Sequence, residues 1–344
     1  MNPIKQMRMA LALAASLAVA CAVAPATAAD KDLRVETGAP GSSVFVFTTT
    51  MQTVVQRNTD YRMNVTSGAT STRSTLDAAR GNVDFYISSP PINEYMKTGT
   101  SMFAKIDGAP ELFKNVRSVI DFPLGPYHVI TFADSGIKTL ADVRGKKVFL
   151  GPQGAAAANV GLAILESAGL KEDVDYTRSK LDWTSGLQAF QDRQVDVAIF
   201  PTELPSPMIS QFALLSKIRL LDIPQAALDS APMKKVIATP GRDVGEIPAG
   251  IYGDNQVNEG PVNAVGSWVG IGTQKDEPED TVYAVTKAIF EHIDAFHNAA
   301  DWMKSITPKT ALNQMNAPLH PGALKYYREI GVNVPDALVP PEAK

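Results

Sequence analysis

What most constrains this chain is that it runs one alternation of strand and helix twice. Residues 32–37 alternate polar and apolar side chains, as a half-buried strand does. A glycine- and serine-bearing turn (38–43) follows. After it come a helical pattern over 44–58, a strand over 61–66, a capped helix over 72–80 and a strand over 83–87. The plan restarts with a strand at 147–150, a loop at 151–154 and a helix over 155–168 that Gly169 stops. A strand near 176–181, a helix over 184–192 and a strand over 195–200 complete it. Gly81-Asn82-Val83-Asp84 and Arg193-Gln194-Val195-Asp196 occupy the same place in the two runs, each ending a helix and opening a strand. Strands separated by helices of this length pair in parallel through right-handed crossovers. The expected fold class is α/β, with two similar units forming two lobes that face each other.

Two apolar-rich strands fall outside these units, at 126–132 and 263–271, and they are expected to cross between the lobes. Helical patterns over 279–298 and 323–331 then return to the first lobe. The boundaries read as 30–127 plus 265–344 for lobe I and 128–264 for lobe II, with the two crossing strands as a hinge.

The first segment stands apart. Lys5 and Arg8 precede an apolar run over 9–23, and Ala26-Thr27-Ala28 leads out of it into charged sequence. A basic start, a short apolar run and a small-x-small exit describe a signal peptide over 1–28. The run is too short and too alanine-rich to span a membrane well. The single cysteine of the 344 residues, Cys21, lies in this segment. Ala18-Val19-Ala20-Cys21 resembles a lipoprotein cleavage box weakly, since Ala18 replaces a larger aliphatic residue; the alanine exit is the better site. Past residue 28 no cysteine remains, which excludes disulfides, thiolate metal sites and cysteine nucleophiles there. Stability then rests on packing, which a chain of about 300 residues can supply by burying ~75% of its unfolded surface. The balance is acidic, 32 Lys+Arg against 36 Asp+Glu, and the leader removes two of the bases. With no basic cluster larger than Arg144-Gly145-Lys146-Lys147, nucleic acid is not an expected partner.

In open α/β sheets, ligands bind beyond the carboxyl ends of the strands. Four loops fall there: 38–43, Ser88-Ser89-Pro90, 151–156 and 201–207. The first and third join glycines to a helix start, where free N–H groups and a partial positive charge suit an anion. Ser42, Ser43, Ser88, Ser89 and Thr202 add neutral hydrogen-bonding groups. The plainer reading is that these are ordinary turns and caps. Arg73, one turn into the helix after residue 71, is the best-placed guanidinium for a carboxylate, or else a solvated helix charge. Trp183 either walls the cleft or belongs to the core.

Gly151-Pro152-Gln153-Gly154-Ala155-Ala156 does not match the Gly-x-Gly-x-x-Gly of a dinucleotide loop. The four histidines are not aligned for one metal; His128, in the first crossing strand, either faces a cleft or is packed. His-Glu-x-x-His and Gly-x-Ser-x-Gly are both absent. No catalytic residue, metal or cofactor is expected, and the chain is not read as an enzyme.

At this point the residues resemble a family. Arg34-Val35-Glu36-Thr37-Gly38 with Gly41, the run from Asp134 through Thr139-Leu140-Ala141-Asp142 to Val148, and Ile247-Pro248-Ala249-Gly250-Ile251-Tyr252 are similar to stretches of the TAXI family of TRAP-transporter solute receptors. The most particular stretch is Pro318-Leu319-His320-Pro321-Gly322-Ala323 with Tyr326-Tyr327-Arg328-Glu329 and Gly331. The resemblance covers about 32–333. It implies a type II-like, two-lobe periplasmic binding protein, monomeric, that closes on a small organic acid and delivers it to the membrane subunits of a TRAP permease. The same fold with a signalling partner would instead be a ligand-sensing subunit.

The family's ligand loops map onto Gly38, Gly41, Ser42, Ser43 and Phe45; Ser88 and Ser89; Gly154, Ala155 and Ala156; and Thr202 with Pro205. Three departures stand out: Val44-Phe45 in place of paired tyrosines, Gly154-Ala155-Ala156-Ala157 without Ser or Thr, and Ser89-Pro90-Pro91 in place of Gln-Ser-Asp. Each removes polar groups. The expected ligand is therefore a monocarboxylate, or a dicarboxylate with a sizeable apolar or aromatic part, held largely by backbone N–H groups.

Overall fold

Leu33 and Val35 are buried while Asp32 and Arg34 are exposed, and this period of two makes Asp32–Glu36 a strand, β1. It opens a computed structural model that describes residues 31–344; the signal peptide expected over 1–28, with Cys21, lies outside the described residues. Helix α1 (Ser43–Asn58) follows, with Ser42 as its N-cap. Next come β2 (Arg62–Thr66), α2 (Ser71–Ala79), β3 (Phe85–Ser88), α3 (Pro90–Thr98) and the short α4 (Ala109–Phe113). The long strand β4 (Val116–Phe132) leads to β5 (Lys147–Phe149), α5 (Ala156–Ser167), β6 (Thr177–Ser179), α6 (Trp183–Gln191) and β7 (Val197–Pro201). Then α7 (Pro207–Leu215), β8 (Ile218–Leu220), α8 (Gln225–Leu228), α9 (Ala231–Ile237) and β9 (Val244–Ile247) precede a second long strand, β10 (Val262–Gln274). Helices α10 (Glu279–Glu291), α11 (Ile293–Ala299) and α12 (Pro321–Glu329) close the chain.

The strands order as β2-β1-β3-β10-β4-β7-β5-β6. β1 pairs in parallel with β2 and β3, and β5 in parallel with β6 and β7, so each half starts on its middle strand. The two long strands join the halves. β4 pairs antiparallel with β10 along Val116 to Pro126, then with β7 and β8 from Tyr127 onward. β10 pairs with β9 over Val262 to Val265, then with β4 and β3. Each therefore leaves one half of the sheet and enters the other. This is a two-lobe α/β fold with two crossing strands.

The cores divide in the same way. One gathers Leu33, Phe47, Phe85, Phe122, Ile271, Ile289, Phe296 and Tyr327, so α10, α11 and α12 return to the first lobe. Phe47 stacks on Phe122 with ring centroids 4.4 Å apart. Two further clusters fill the second lobe on either side of its sheet, one around Val148, Ile164 and Ile199, the other around Phe149, Phe190 and Phe212. β7, and β5 after its exposed Lys147, are apolar throughout because both faces are covered.

The helix expected over 279–298 is two helices, because His292 leaves helical geometry (φ −119°, ψ 31°) between α10 and α11. Helices α3, α7 and α9 start at or next to a proline, where its missing N–H costs nothing.

Candidate functional site

The carboxyl ends of β1, β3 and β7 open onto one cleft of about 300 Å³ between the lobes. Lobe I contributes Gly38, Gly41 and Ser42 after β1, Ser43 and Val44 in the first turn of α1, Thr70 and Ser71 at the start of α2, and Ser88 and Ser89 after β3. Lobe II contributes Ala155, Ala156 and Ala157 at the start of α5, and Trp183, Leu187, Gln188 and Gln191 on α6. Phe200 and Thr202 at the end of β7, and Met208, Gln211 and Phe212 on α7, complete that wall. The crossing strands supply the floor: Leu124 and Tyr127 from β4, Ser267 and Val269 from β10.

Five helices, α1, α2, α3, α5 and α6, begin on the cleft wall, so their positive ends face its interior. Ser42, Thr70 and Asp182 cap three of them through their own side chains. The N-cap of α5 is Ala155, which has no side chain to do so. Trp183 is seated by Gly151: a Cβ there would lie 2.7 Å from the indole, and the φ of +85° favours glycine.

One charged residue lines the cleft among the described residues, Arg242. It is 7% exposed. Its Nη1 donates to Ser267 Oγ at 2.6 Å and to the Gly241 carbonyl at 3.3 Å, and the guanidinium sits 5.4 Å from the Tyr127 ring centroid. The Nε–Nη2 edge makes no hydrogen bond to a described residue, and no carboxylate pairs with Arg242 among them. The backbone that presents it is held by lobe I: Gly241 N–H donates to Gln314 Oε1 at 3.1 Å, and Gly241 packs against Pro90 and Pro91.

Three further side-chain hydrogen bonds join the lobes, one of them buried. Ser43 donates to the carboxylate of Glu203, Thr72 Oγ1 donates to the Gly154 carbonyl at 2.8 Å, and Asn159 Nδ2 donates to Ser101 Oγ at 2.9 Å. Glu203 also accepts from Thr202 Oγ1 at 2.5 Å.

Of the residues singled out from sequence, Gly38, Gly41, Ser42, Ser43, Ser88, Ser89, Ala155, Ala156, Trp183 and Thr202 line this cleft. Phe45, Arg73, Gly154 and Pro205 do not. One helical step turns Phe45 away from the face that Val44 shows. Arg73 points outward, its side chain 76% exposed and paired with Asp77 at 3.3 Å. Gly154 gives its carbonyl to Thr72. Pro205 is exposed, beyond the residues of its loop that reach the cleft.

Arg242, Tyr127, Ser267 and the glutamines escaped the sequence reading. For Tyr127 a signal was there: strand neighbours face opposite ways, so Tyr127 and His128 cannot share one side. His128 takes the far side, fully buried. Its Nδ1–H donates to the Pro126 carbonyl at 3.0 Å, which leaves Nε2 to accept from the Tyr252 hydroxyl at 2.7 Å. Burial holds its pKa down to about 3, so it is neutral at ordinary pH.

Residues 35–331 match the NMT1-like family. The chain belongs to that family. Two solved structures share its fold. MatC from Rhodopseudomonas palustris, with bound malate, aligns at 13% identity and a TM-score of 0.54 over 87% of this chain and 96% of its own. The periplasmic binding protein BugD aligns at 13% identity and 0.54 over 87% and 94%. At these identities the likeness is one of fold.

Proposed function

We propose that this protein is a periplasmic solute receptor that captures a small organic acid between its lobes and hands it to a TRAP-type membrane permease. The observation that carries the reading is electrostatic. The cleft is framed by five helix starts and, among the described residues, holds a single charged side chain, a buried arginine whose Nε–Nη2 edge has no partner among them. Guanidinium binds carboxylate through two parallel hydrogen bonds, and a cation so buried is best stabilised by an anion. Among the described residues no histidine, lysine or carboxylate lines the cleft, and the hydroxyls of Ser43 and Thr202 share one buried carboxylate, Glu203, in an interlobe contact, so capture rather than turnover is the reading.

Within this proposal, 30–127 plus 265–344 and 128–264 are the two moving lobes. They hinge where β4 and β10 cross. Walls from both lobes surround the ligand, so binding favours the closed arrangement. The TAXI assignment within receptor families rests on the 318–331 stretch. The protein is read as a monomer, exported by its leader and with no cofactor.

A thermal-shift screen of organic acids tests the capture step. An acid at 100 times its dissociation constant adds about 2.7 kcal/mol, a rise of several degrees in melting temperature. The Arg242→Gln variant should lose that rise. If no acid moves the wild-type transition, or if the variant responds equally, the reading fails. Delivery is tested by ligand uptake into vesicles carrying the permease, with and without the receptor.

A further inference from the structure

We infer that the cleft is built for an acid with one negative charge, no ammonium group and an apolar, ring-sized body. The inference deepens the receptor reading and rests on it. Its first support is the charge inventory. Arg242 supplies one positive charge, and no aspartate or glutamate lines the cleft among the described residues. Of the acids next in sequence to cleft residues, Glu203 is taken up by Ser43 and Thr202, and Asp243 by the indole N–H of Trp268 at 3.1 Å.

An α-amino acid entering here would seat its carboxylate on Arg242 and then bury its ammonium with no anion to balance it. A charge taken from water without a partner is strongly disfavoured. A dicarboxylate meets the mirror problem, since Arg73 lies outside the cleft. Three of the five helix starts already have their caps from Ser42, Thr70 and Asp182, and a fourth, that of α3, opens on Pro90-Pro91, which carry no N–H to offer. The orientation of Arg242 adds geometry. With Nη1 held by Ser267 and Gly241, the Nε–Nη2 edge is the fork left for one carboxylate.

The second support is the wall. Leu124 and Val44 from lobe I and Leu187, Phe200, Met208 and Trp183 from lobe II line the cleft that Arg242 enters. A cavity of about 300 Å³ has room for roughly ten water-sized groups, enough for a carboxylate and a phenyl ring on a short spacer. Burying such a body against these side chains is favourable, whereas a second charged group would lose its hydration there.

Calorimetric titration of the purified protein with matched acids decides the matter. The set is 3-phenylpropanoate, phenylalanine and phenylsuccinate, with 4-methylpentanoate against leucine, and glutamate and malate as small polar controls. The monoacids should bind roughly 100-fold or more tighter than their amino or second-carboxyl counterparts. Arg242→Gln should weaken the best monoacid by a similar factor, and Arg242→Lys, which keeps the charge but not the fork, by less. Melting temperatures of both variants without ligand separate loss of the seat from loss of the fold. Tighter binding of phenylalanine, leucine, glutamate, malate or phenylsuccinate overturns this inference and leaves the receptor reading standing. Failure of every acid at millimolar concentration overturns both.

Discussion

The two lobes share a strand order and differ in what they show the cleft. Lobe I lines it with hydroxyls, from Ser42, Ser43, Thr70, Ser71, Ser88 and Ser89. Lobe II lines it with Ala155–Ala157, Trp183, Leu187, Phe200, Met208 and Phe212, relieved by Thr184, Thr202 and glutamines on α6 and α7, and adds Arg242 at the floor. Lobe I gathers most of its core into one cluster, because α10, α11 and α12 fold back onto it, whereas the core of lobe II is split between the two faces of its sheet. In lobe II, β5 and β6 are only three residues long. The difference points to a division of labour: a hydroxyl wall that orients and an apolar wall that excludes water as the lobes meet, with Arg242 between them on lobe II backbone that Gln314 of lobe I holds.

The contrast extends to pH, and one strand carries both sides of it. β4 holds Asp121 in the lobe I half and His128 in the lobe II half. The carboxyl of Asp121 is buried with neither oxygen hydrogen-bonded, and burial pushes its pKa well above the usual carboxylate range. A raised folded pKa means stability present below the unfolded value, near 4, that is lost as pH rises toward the folded one. His128 behaves oppositely. Its folded pKa of about 3 lies below the ordinary 6.5, so its contribution is complete above pH 6.5 and drains away as pH falls toward 3. The loss amounts to roughly 5 kcal/mol at the acid end. His320, held down to about 4 by burial, adds to the same limb from lobe I.

Urea midpoints measured from pH 3 to 8 should therefore fall steeply on the acid side, and His128→Gln should flatten that fall while lowering the plateau. An unchanged acid limb would remove His128 from the account. Asp121→Asn should match wild type near pH 4 and exceed it increasingly above. Parallel pH curves for the two proteins would show that Asp121 does not titrate as argued.

This pairing also explains what the sequence could and could not disclose. The fold was legible because strands and helices announce themselves locally, through alternation in 32–37 and caps such as Ser42. The most family-specific stretch, 318–323, turns out to be structural. Leu319 bridges to Ser118, His320 caps α12, and a Cβ on Gly322 would lie 2.2 Å from the Glu279 carbonyl oxygen. Half the cleft was legible too, since loops after strands can be counted along the chain. Arg242 was not. It follows a glycine in an irregular stretch between α9 and β9, and only tertiary contacts with Gln314 and Pro90 bring it to the floor. Arg73, in a readable helix, drew attention that belonged to it.

Trp183→Ala tests the apolar wall. Removing the indole should cost about 2–3 kcal/mol of ligand burial, a 30- to 150-fold loss of affinity for an apolar acid. The ring also packs edge-on against Phe149, with centroids 5.7 Å apart, so a smaller drop in stability accompanies it. An affinity loss of only a few fold would mean that lobe II does not supply the burial, and the division between the walls would collapse.

Ser43→Ala tests the polar wall and should give the smallest effect. Ser43 reaches from the first turn of α1 to Glu203, which keeps its bond from Thr202 when the serine hydroxyl is gone. One interlobe hydrogen bond is worth about 1 kcal/mol net, so affinity should fall roughly five-fold through a less stable closed state. The melting temperature without ligand should move by no more than a degree or two, because the core of lobe I is untouched. Small-angle scattering of the ligand-bound variant should show a larger radius of gyration than wild type at equal subsaturating ligand. If affinity falls with no change in the balance of open and closed forms, Ser43 touches the ligand directly, and the hydroxyl wall binds rather than orients.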